Sequence, residues 1–407
     1  MVNIVEVKTK KQQKLFVNFQ IELYKDCPYF VPPILADEMC MFSPKKNANY
    51  EDCESVFYLA YKDDKLVGRI AGILQKASNK KTGKKLVRFS RVDFIDDIEV
   101  SKALFDAVEK WAKSKKMMAV QGPLGFNDLE REGLLIEGFD QMSTYEENYY
   151  YSYYKDHLEK LGYTKDVDWV EFKIFIPDKP DERTANLVKK ISERYKFREV
   201  KINSKRLLIK KYKDQIFSLI NKCYEPLYGV VPITKKLEEQ FISQFKLAVN
   251  LRYLCLVVNE DDKLIGFGLA FPNFSKSMQK MKGKLVNPHV FGLLRELKHP
   301  KIVDLALFAV DEEYRTKGVT AFIFNKILTN FIEDKVEYAE SLLQLESNIT
   351  IQNQFDGYKR ELHKRRRCYI KDITSKKKTT QSNKKGKNTK STKRKSKSKK
   401  ITSNRVE

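Results

Sequence analysis

The hydrophobic positions of the chain follow two spacings, one typical of strands and one typical of helices. Short apolar runs predict strands near the start of the chain and in a hairpin closed by Asp63-Asp64-Lys65. Apolar residues three and four apart predict amphipathic helices, as over 10–24 and 100–111. The basic stretch 76–85 predicts a solvated turn. Because the two kinds of element alternate, we expect a mixed sheet with helices on both faces.

The same order of elements occurs twice along the chain. The hairpin sequence 63–68 recurs at 261–266, and Gly162-Tyr163 after a helix recurs as Gly357-Tyr358 at nearly the same separation. Two anchors with almost one offset favour an internal duplication. Chance is the alternative, since Asp-Asp-Lys is a common hairpin turn.

A buried strand followed by a helix marks the second copy. Residues 303–310 are almost continuously apolar, and helical spacing begins at Gly318. The turn between them is basic, with Arg315 and Lys317. Unpaired N–H groups and the dipole at a helix start attract anions, and Gly318 lets a ligand approach the backbone closely. These residues predict a pyrophosphate site; the alternative is an ordinary strand–turn–helix with a solvated Arg.

This stretch resembles motif A of the GNAT acyltransferase superfamily: a strand, Gln or Arg, two residues, Gly, one residue, and Gly or Ala. Arg315 and Gly318 match, whereas Thr320 stands where Gly or Ala is usual. The resemblance implies an N-acyltransferase of unknown acceptor that uses acetyl-CoA or a longer acyl-CoA, with an amine in the cleft and no metal. The residues implied to hold coenzyme A are Phe308, Ala309 and Val310 at a strand edge, and Arg315, Thr316, Lys317, Gly318, Val319 and Thr320 at the turn.

The second family signature, motif B, is a strand, an Asn and a helix ending in Tyr-x-x-x-Gly-Phe. Asn348 matches and is implied to contact the cofactor. Leu158 and Phe355 stand at the Tyr position of the two halves, so the usual Tyr general acid is missing from both. In the first half, the acids of 93–99 replace the basic Gly turn and would repel a pyrophosphate. Only the second half is therefore expected to bind coenzyme A.

These resemblances predict an α/β fold with a mixed α+β sheet, arranged as two tandem GNAT-like domains, each flanked by helices. The first, 1–178, has a degenerate cofactor motif, and the second, 179–373, has the coenzyme A motif. To about residue 373 the chain resembles a group of uncharacterised bacterial proteins with two GNAT-like halves.

Two carboxylates are candidates for the base that removes a proton from the amine. They are Asp304 on the predicted strand and Glu346 after the strand 338–345. Apolar strands around a carboxylate would raise its pKa and make it a useful base. The alternatives are a capping or salt-bridge residue for Asp304 and a helix-start residue for Glu346. Several tyrosines over 145–154 would either line an acceptor pocket or pack in the core.

Composition limits the remaining classes of function. The chain has 407 residues, a net charge of +24, six cysteines without a Cys-x-x-Cys pair and four isolated His, so no zinc motif is present. No signal-peptide pattern or 18-residue apolar run occurs, and we expect a cytoplasmic protein without a transmembrane segment. The run Arg365-Arg366-Arg367 would contact phosphates or, by default, lie on a solvated edge strand.

The end of the chain differs from the rest. Residues 374–407 lack aromatic residues and are dominated by Lys, Ser, Thr and Asn, which predicts a disordered basic tail. Such a tail binds polyanions such as RNA or DNA non-specifically. This motivates an alternative function, a non-catalytic GNAT-fold protein with a regulatory or nucleic-acid-associated role.

Overall fold

A computed structural model describes residues 1–374, in which fourteen strands form a single mixed sheet. The Lys-rich tail falls outside the described residues apart from Thr374. The strands are β1 Val2–Glu6, β2 Cys53–Lys62, β3 Lys65–Gln75, β4 Leu86–Phe94, β5 Ala119–Gly122, β6 Leu134–Glu137, β7 Thr164–Phe175, β8 Arg198–Glu199, β9 Leu254–Val258, β10 Leu264–Pro272, β11 Ile302–Val310, β12 Tyr338–Ser341, β13 Gln344–Leu345 and β14 Arg360–Asp372.

Helices pack on both faces of this sheet, as the sequence predicts. They are α1 Lys10–Leu23, α2 Leu35–Cys40, α3 Lys76–Thr82, α4 Ile98–Ser114, α5 Tyr153–Lys160, α6 Glu182–Arg194, α7 Lys205–Tyr224, α8 Lys235–Phe245, α9 Ser275–Met281, α10 Val290–Lys298, α11 Val319–Glu333 and α12 Ile349–Gln352. In the first half α1 and α4 bury apolar residues against opposite faces, and in the second half α7 and α11 do the same.

The strand order repeats from the two edges of the sheet inwards. It runs β1-β2-β3-β4-β5 from one edge and β8-β9-β10-β11-β12 from the other, with β14 and β7 in the middle. The pairings β4–β5 and β11–β12 are parallel, and the other pairings along this path are antiparallel. Both halves of the chain therefore build the same arrangement.

Each half gives its last strand to the other half. β7 ends the first half but pairs with β12, and β14 ends the second half but pairs with β5. β7 and β14 also pair with each other along most of their length. Residues 1–374 consequently form one compact unit with a continuous sheet. The division into domains 1–178 and 179–373 stays a prediction.

Glycines on the central strands let the helices approach closely. A Cβ atom at Gly266 would lie 2.9 Å from Val319 of α11, and one at Gly68 would lie 2.8 Å from Leu104 of α4. Contacts under about 3 Å are not tolerated in a packed core without a shift of the neighbours. Corresponding glycines thus seat corresponding helices, which is further evidence for the duplicated architecture.

Two local predictions are wrong. The stretch predicted as a solvated turn begins with the helix α3, whose first turn is capped by Gln75 through the N–H groups of Ala77 and Ser78. The default of a solvated edge strand for the three arginines is also wrong. They lie on β14 in the middle of the sheet, and Arg366 is fully buried. The long-range partner of a strand decides its exposure, and no local pattern reports that partner.

Candidate active site

β11 separates from β12 part-way along the sheet. The parallel pairing covers only Ile302–Leu305 of β11, opposite β12, while β11 continues to Val310. A register shift in the pairing of β11 with β10 falls in the same place, next to Leu305. The upper part of β11 therefore has one edge without a neighbouring strand, and a wedge opens between β11 and β12.

Side chains of α7 and the following turn cover part of this edge. The Phe308 N–H donates to the Tyr224 hydroxyl, which in turn donates to the Phe308 carbonyl, both at 3.1 Å. The Val310 carbonyl accepts from Cys223 Sγ at 3.3 Å and from Arg315 Nε at 3.4 Å. Backbone groups at a strand edge that bond to side chains are available to a ligand once those side chains move.

An apolar cavity of 510 Å³ adjoins the wedge. Helices on both faces of the sheet contribute to its walls, among them Ile220 of α7, Phe241 of α8 and Phe324 of α11. Residues of β11 line it too, including Phe308, whose ring stacks on Phe324 at 4.7 Å between centroids. Its volume is within the range of small-molecule sites. The cavity thus links the two faces of the sheet at the wedge.

The N-terminus of α11 lies at the end of β11 and carries no cap. No side chain accepts from its first N–H groups, and its first turn contains no acid. The corresponding helix α4 is capped by Asp97, whose carboxylate accepts from the Glu99 N–H at 2.9 Å and pairs with Lys62. An uncapped helix start favours an anion. The start of α4 is therefore occupied by an acidic cap, whereas the start of α11 is not, as the acidic and basic sequences before these helices indicate.

The structure places the predicted cofactor residues at this helix start in different environments. Arg315 and Thr316 are exposed, and the ammonium of Lys317 lies 4.4 Å from the ring centre of Tyr314. Val319 is fully buried against β10. Thr320 is half-buried in the first turn.

Gly318 has a packing role that its sequence context does not show. It adopts a φ of +76°, and a Cβ atom there would lie 2.7 Å from Ile191 of α6. Any side chain at this position is strained by the backbone and collides with α6. We therefore expect a large substitution at Gly318 to disturb the packing of α6 against this turn.

Two other residues predicted from the family motifs lie beside the cavity. Asn348 lines it, and its side chain caps α12 through the Ile351 N–H at 3.4 Å. Phe355, at the position of the usual Tyr, is buried against Val170 and Ile174 of β7. Its ring has no acidic proton, so it does not serve as a general acid. Ala309, on β11, is buried against the cluster formed by α7 and α8.

The two candidate bases have opposite environments. Asp304 is buried and accepts from Asn273 Nδ2 at 2.8 Å, and burial together with the nearby Glu340 raises its pKa well above the usual range. Glu346 is exposed and pairs with Lys165 at 2.8 Å and with Arg365. The Lys165 hydrogen bond is the main reason that the pKa of Glu346 is lowered. The expected raised pKa is wrong for Glu346, and both catalytic roles stay predictions.

Asp304 lies beside a buried group of charges that sequence reasoning missed. Lys364 of β14 pairs with Glu147 at 2.6 Å, Glu171 at 2.8 Å and Glu340 at 3.1 Å, and Arg366 pairs with Glu171 at 2.6 Å. These side chains are almost completely inaccessible. Burial raises the pKa of Glu171 to about 7 against the opposing charge of Arg366. The one signal in the sequence was Glu171 itself, a charged residue within an otherwise apolar strand segment.

The corresponding wedge of the first half is filled. The Phe89 carbonyl of β4 accepts from the Leu124 N–H at 2.9 Å, and the Phe94 N–H donates to the Tyr154 hydroxyl at 2.9 Å. Tyr149, Tyr150 and Tyr154 are core residues. Of the two interpretations of the Tyr-rich stretch, core packing is the one the structure supports for these three. Within residues 1–374 the cavity of 510 Å³ lies at the wedge of the second half, whereas β4 borders a smaller cavity of about 140 Å³ at Ser90 and Arg91.

Comparison with solved structures identifies this arrangement. The tandem GNAT protein from the clavulanic acid biosynthesis pathway, determined without AcCoA, superposes with a TM-score of 0.53 over 92% of this chain and 100% of that chain, at 11% identity. The chain has a tandem GNAT fold. The predicted fold class and the predicted resemblance to the GNAT fold are confirmed.

Two relatives align with this chain over most of its length. Protein YghO of Escherichia coli (strain K12) is 27% identical over 383 residues, covering 89% of this chain and 94% of its own. Bacterial ceramide synthase of Caulobacter vibrioides (strain NA1000 / CB15N) is 24% identical over 323 residues, covering 77% and 82%. No family model matches the chain. Within residues 1–374, no helix is both long and apolar enough to cross a membrane.

Proposed function

We propose that the protein is an acyl-CoA-dependent N-acyltransferase whose cofactor binds to the second half. The observation that carries the proposal is the open wedge between β11 and β12: an apolar cavity adjoins it, and β11 leads through a turn to the uncapped start of α11. The helix start suits the pyrophosphate of coenzyme A, and the apolar cavity suits the hydrocarbon chain of an acyl group.

Different residues along the wedge would bind different parts of coenzyme A. The N–H groups at the start of α11, near Arg315 and Lys317, would hold the pyrophosphate. The free edge of β11 at Phe308 would pair with the amide groups of the pantetheine arm in place of the Tyr224 hydroxyl. The thioester would then lie where the wedge meets the cavity. Coenzyme A supplies the activated acyl group, and the walls exclude water from it.

The cavity favours a long acyl chain over an acetyl group. Its walls are formed largely by apolar side chains of α7, α8 and α11. Each methylene removed from water contributes about 0.8 kcal/mol to binding. One relative is named for the synthesis of ceramide, an amide of a long-chain amino alcohol. We therefore infer a long-chain acyl group and an amine acceptor for this protein.

The alternative of a non-catalytic protein rests on the tail alone. Residues 375–407 are outside the described part of the chain, and no relative described above is named for nucleic-acid binding. The wedge and the cavity lie in the described part and favour the acyltransferase.

The proposal predicts that Thr320→Asp weakens coenzyme A binding without harming the fold. An acid in the first turn of a helix is favourable by about 0.3–1 kcal/mol, so the melting temperature should stay unchanged or rise. The same charge repels a pyrophosphate, and we expect affinity for coenzyme A to fall at least tenfold. Calorimetric titration of wild type, Thr320→Asp and the control Thr320→Ser measures this.

Wild type and Thr320→Ser should bind one coenzyme A per chain with similar affinity. Equal affinity in Thr320→Asp, or no binding to folded wild type, contradicts the proposal. Mass spectrometry of amide products formed from acyl-CoA of increasing chain length then tests the preference for long chains.

A further inference from the structure

Carboxylates of the first half line the cavity of the second half. Asp128 and Glu132 belong to the segment between β5 and β6, and both contribute to the cavity wall. Between them, Leu129 packs against the apolar cluster of α7 and α8 that includes Phe241. The first half therefore contributes these two acidic side chains to the wall of the proposed site, which Glu130, Glu146 and Glu147 line as well.

Neither carboxylate has an ion pair among residues 1–374. Glu132 is only 8% exposed, faces the cavity and has no hydrogen-bond partner in the described part of the chain. Burial of an unpaired carboxylate is costly unless a partner arrives from outside. Glu130 in the same segment shows the usual solution, since it pairs with Arg91 at 3.0 Å.

Arg88 acts on both carboxylates through its charge but forms no ion pair with either of them among residues 1–374. Arg88 directs its guanidinium to the Gly125 carbonyl at 3.1 Å, the Gly229 carbonyl at 2.9 Å and the Ser78 hydroxyl at 3.2 Å. Its donors are therefore engaged by neutral groups. Neither carboxylate therefore has a paired cation among residues 1–374, and burial raises the pKa of both above the usual range.

The acidic pair lies close to the wedge. Asp128 and Glu132 line the same cavity as Tyr224 and Phe308. The Tyr224 hydroxyl is the group that bonds to the free edge of β11 at Phe308. A cation held by the pair would thus lie near the position where the thioester is expected.

We propose that Asp128 and Glu132 bind the ammonium group of an amphiphilic primary amine whose hydrocarbon part lies in the apolar cavity. The inference rests on the proposed function, because it names the class of acceptor. The half without a coenzyme A motif then has its own role, since it supplies the headgroup site for the substrate that is acylated.

The pair also provides a route for the proton that must leave. A carboxylate of the pair takes one proton from the ammonium and leaves a neutral amine, whose lone pair attacks the thioester carbonyl. The new C–N bond forms as the C–S bond breaks. The thiolate takes a second proton from the nitrogen, which gives free coenzyme A and an amide with one N–H. The proton on the carboxylate then returns to solvent.

The test compares two ligands that differ in charge. Decylamine is a cation at pH 7.5, whereas 1-decanol has the same chain and no charge. Both are titrated calorimetrically into the full chain, for wild type, Asp128→Asn, Glu132→Gln and the control Glu137→Gln. Glu137 lies five positions further on, and its side chain is 62% exposed on the surface.

Wild type and Glu137→Gln should bind decylamine at least tenfold more tightly than 1-decanol. Asp128→Asn and Glu132→Gln should lose this preference and retain the affinity for 1-decanol. An affinity ratio near one in wild type overturns the inference, and so does an unchanged ratio in either variant that keeps the wild-type melting temperature.

Coenzyme A titrated into the same samples separates the two proposals. A preference for decylamine in a protein that binds no coenzyme A supports the amine site and rejects the acyltransferase. Coenzyme A binding that depends on Thr320, without any preference for the amine, supports the acyltransferase and rejects the amine site.

Discussion

Burial and neighbouring charges determine what each carboxylate of this chain can do. Asp304 and Glu346 follow similar sequence patterns, yet burial raises the pKa of the first and Lys165 lowers that of the second. Glu146 is a third case: it lines the cavity without an ion pair among residues 1–374, and burial raises its pKa to about 7 against the opposing charge of Arg131. Such groups connect stability to pH.

We expect Glu146→Gln to reduce the loss of stability with rising pH. In the folded protein the Glu146 pKa is about 7, above its unfolded value of 4.5. Below about pH 4.5 both states are protonated; between there and about pH 7 only the unfolded state loses the proton, so wild-type stability falls. The variant should avoid on the order of 2 kcal/mol of this loss. Urea unfolding of both proteins at pH 5 and pH 8 measures the difference. If wild type and Glu146→Gln lose the same stability between pH 5 and pH 8, Glu146 does not hold the proton in the folded state.

At the scale of the element, β14 shows how a charged strand is accommodated in the middle of a sheet. Arg366 points inward and is fully buried, while Arg365 points to the surface and pairs with Glu346. Alternate residues of a strand face opposite sides, so adjacent arginines have different environments. Carboxylates of β7 and of the Tyr-rich segment match the inward charge.

Arg366→Ala should destabilise the protein by about 3–5 kcal/mol, because Glu147 and Glu171 would keep buried charge that Lys364 alone cannot neutralise. Arg365→Ala is the matched control one position earlier, and we expect it to cost about 1 kcal/mol or less. Chemical denaturation of the two variants gives both values. Similar losses in the two variants would contradict the buried role assigned to Arg366.

The sequence predicts the local elements well, because hairpin turns, caps and apolar spacing act over a few residues. The Asp63-Asp64 turn and the strand that precedes Gly318 are examples. The location of the site also follows from a local motif. The exchange of β7 and β14, the buried Arg366 and the acidic wall at Glu132 all depend on partners distant in sequence. No periodicity within one segment encodes such partners, so these features required the structure.

At the scale of the whole molecule, the sheet order is the same from both edges, but the chemistry of the halves differs. The first half has a filled wedge and a capped α4, and the second has an open wedge and an uncapped α11. In the proposed function, the two copies of one architecture carry different parts of one site. The shared strands β7 and β14 hold these parts together.

The exchange predicts that neither half folds alone. Residues 1–178 lack the neighbour of β5, and residues 179–407 lack the neighbour of β12. Expressed separately, both fragments should be aggregated or unfolded by circular dichroism and size exclusion. Co-expressed, they should form a one-to-one complex with the helix and strand content of the intact chain. A stable, monomeric fragment of either kind would show that the exchanged strand is dispensable.

The exchange of β7 and β14 also determines when each part of the sheet can form during translation. As the nascent chain leaves the ribosome, β5 is exposed long before the segment Tyr369–Asp372 that will cover it has been translated. Until then an open edge and its apolar surface are available to other chains, which is the condition that favours aggregation during synthesis. Pairing between such distant segments is also slow. The cell must therefore protect a half-finished sheet for most of the time needed to translate the second half.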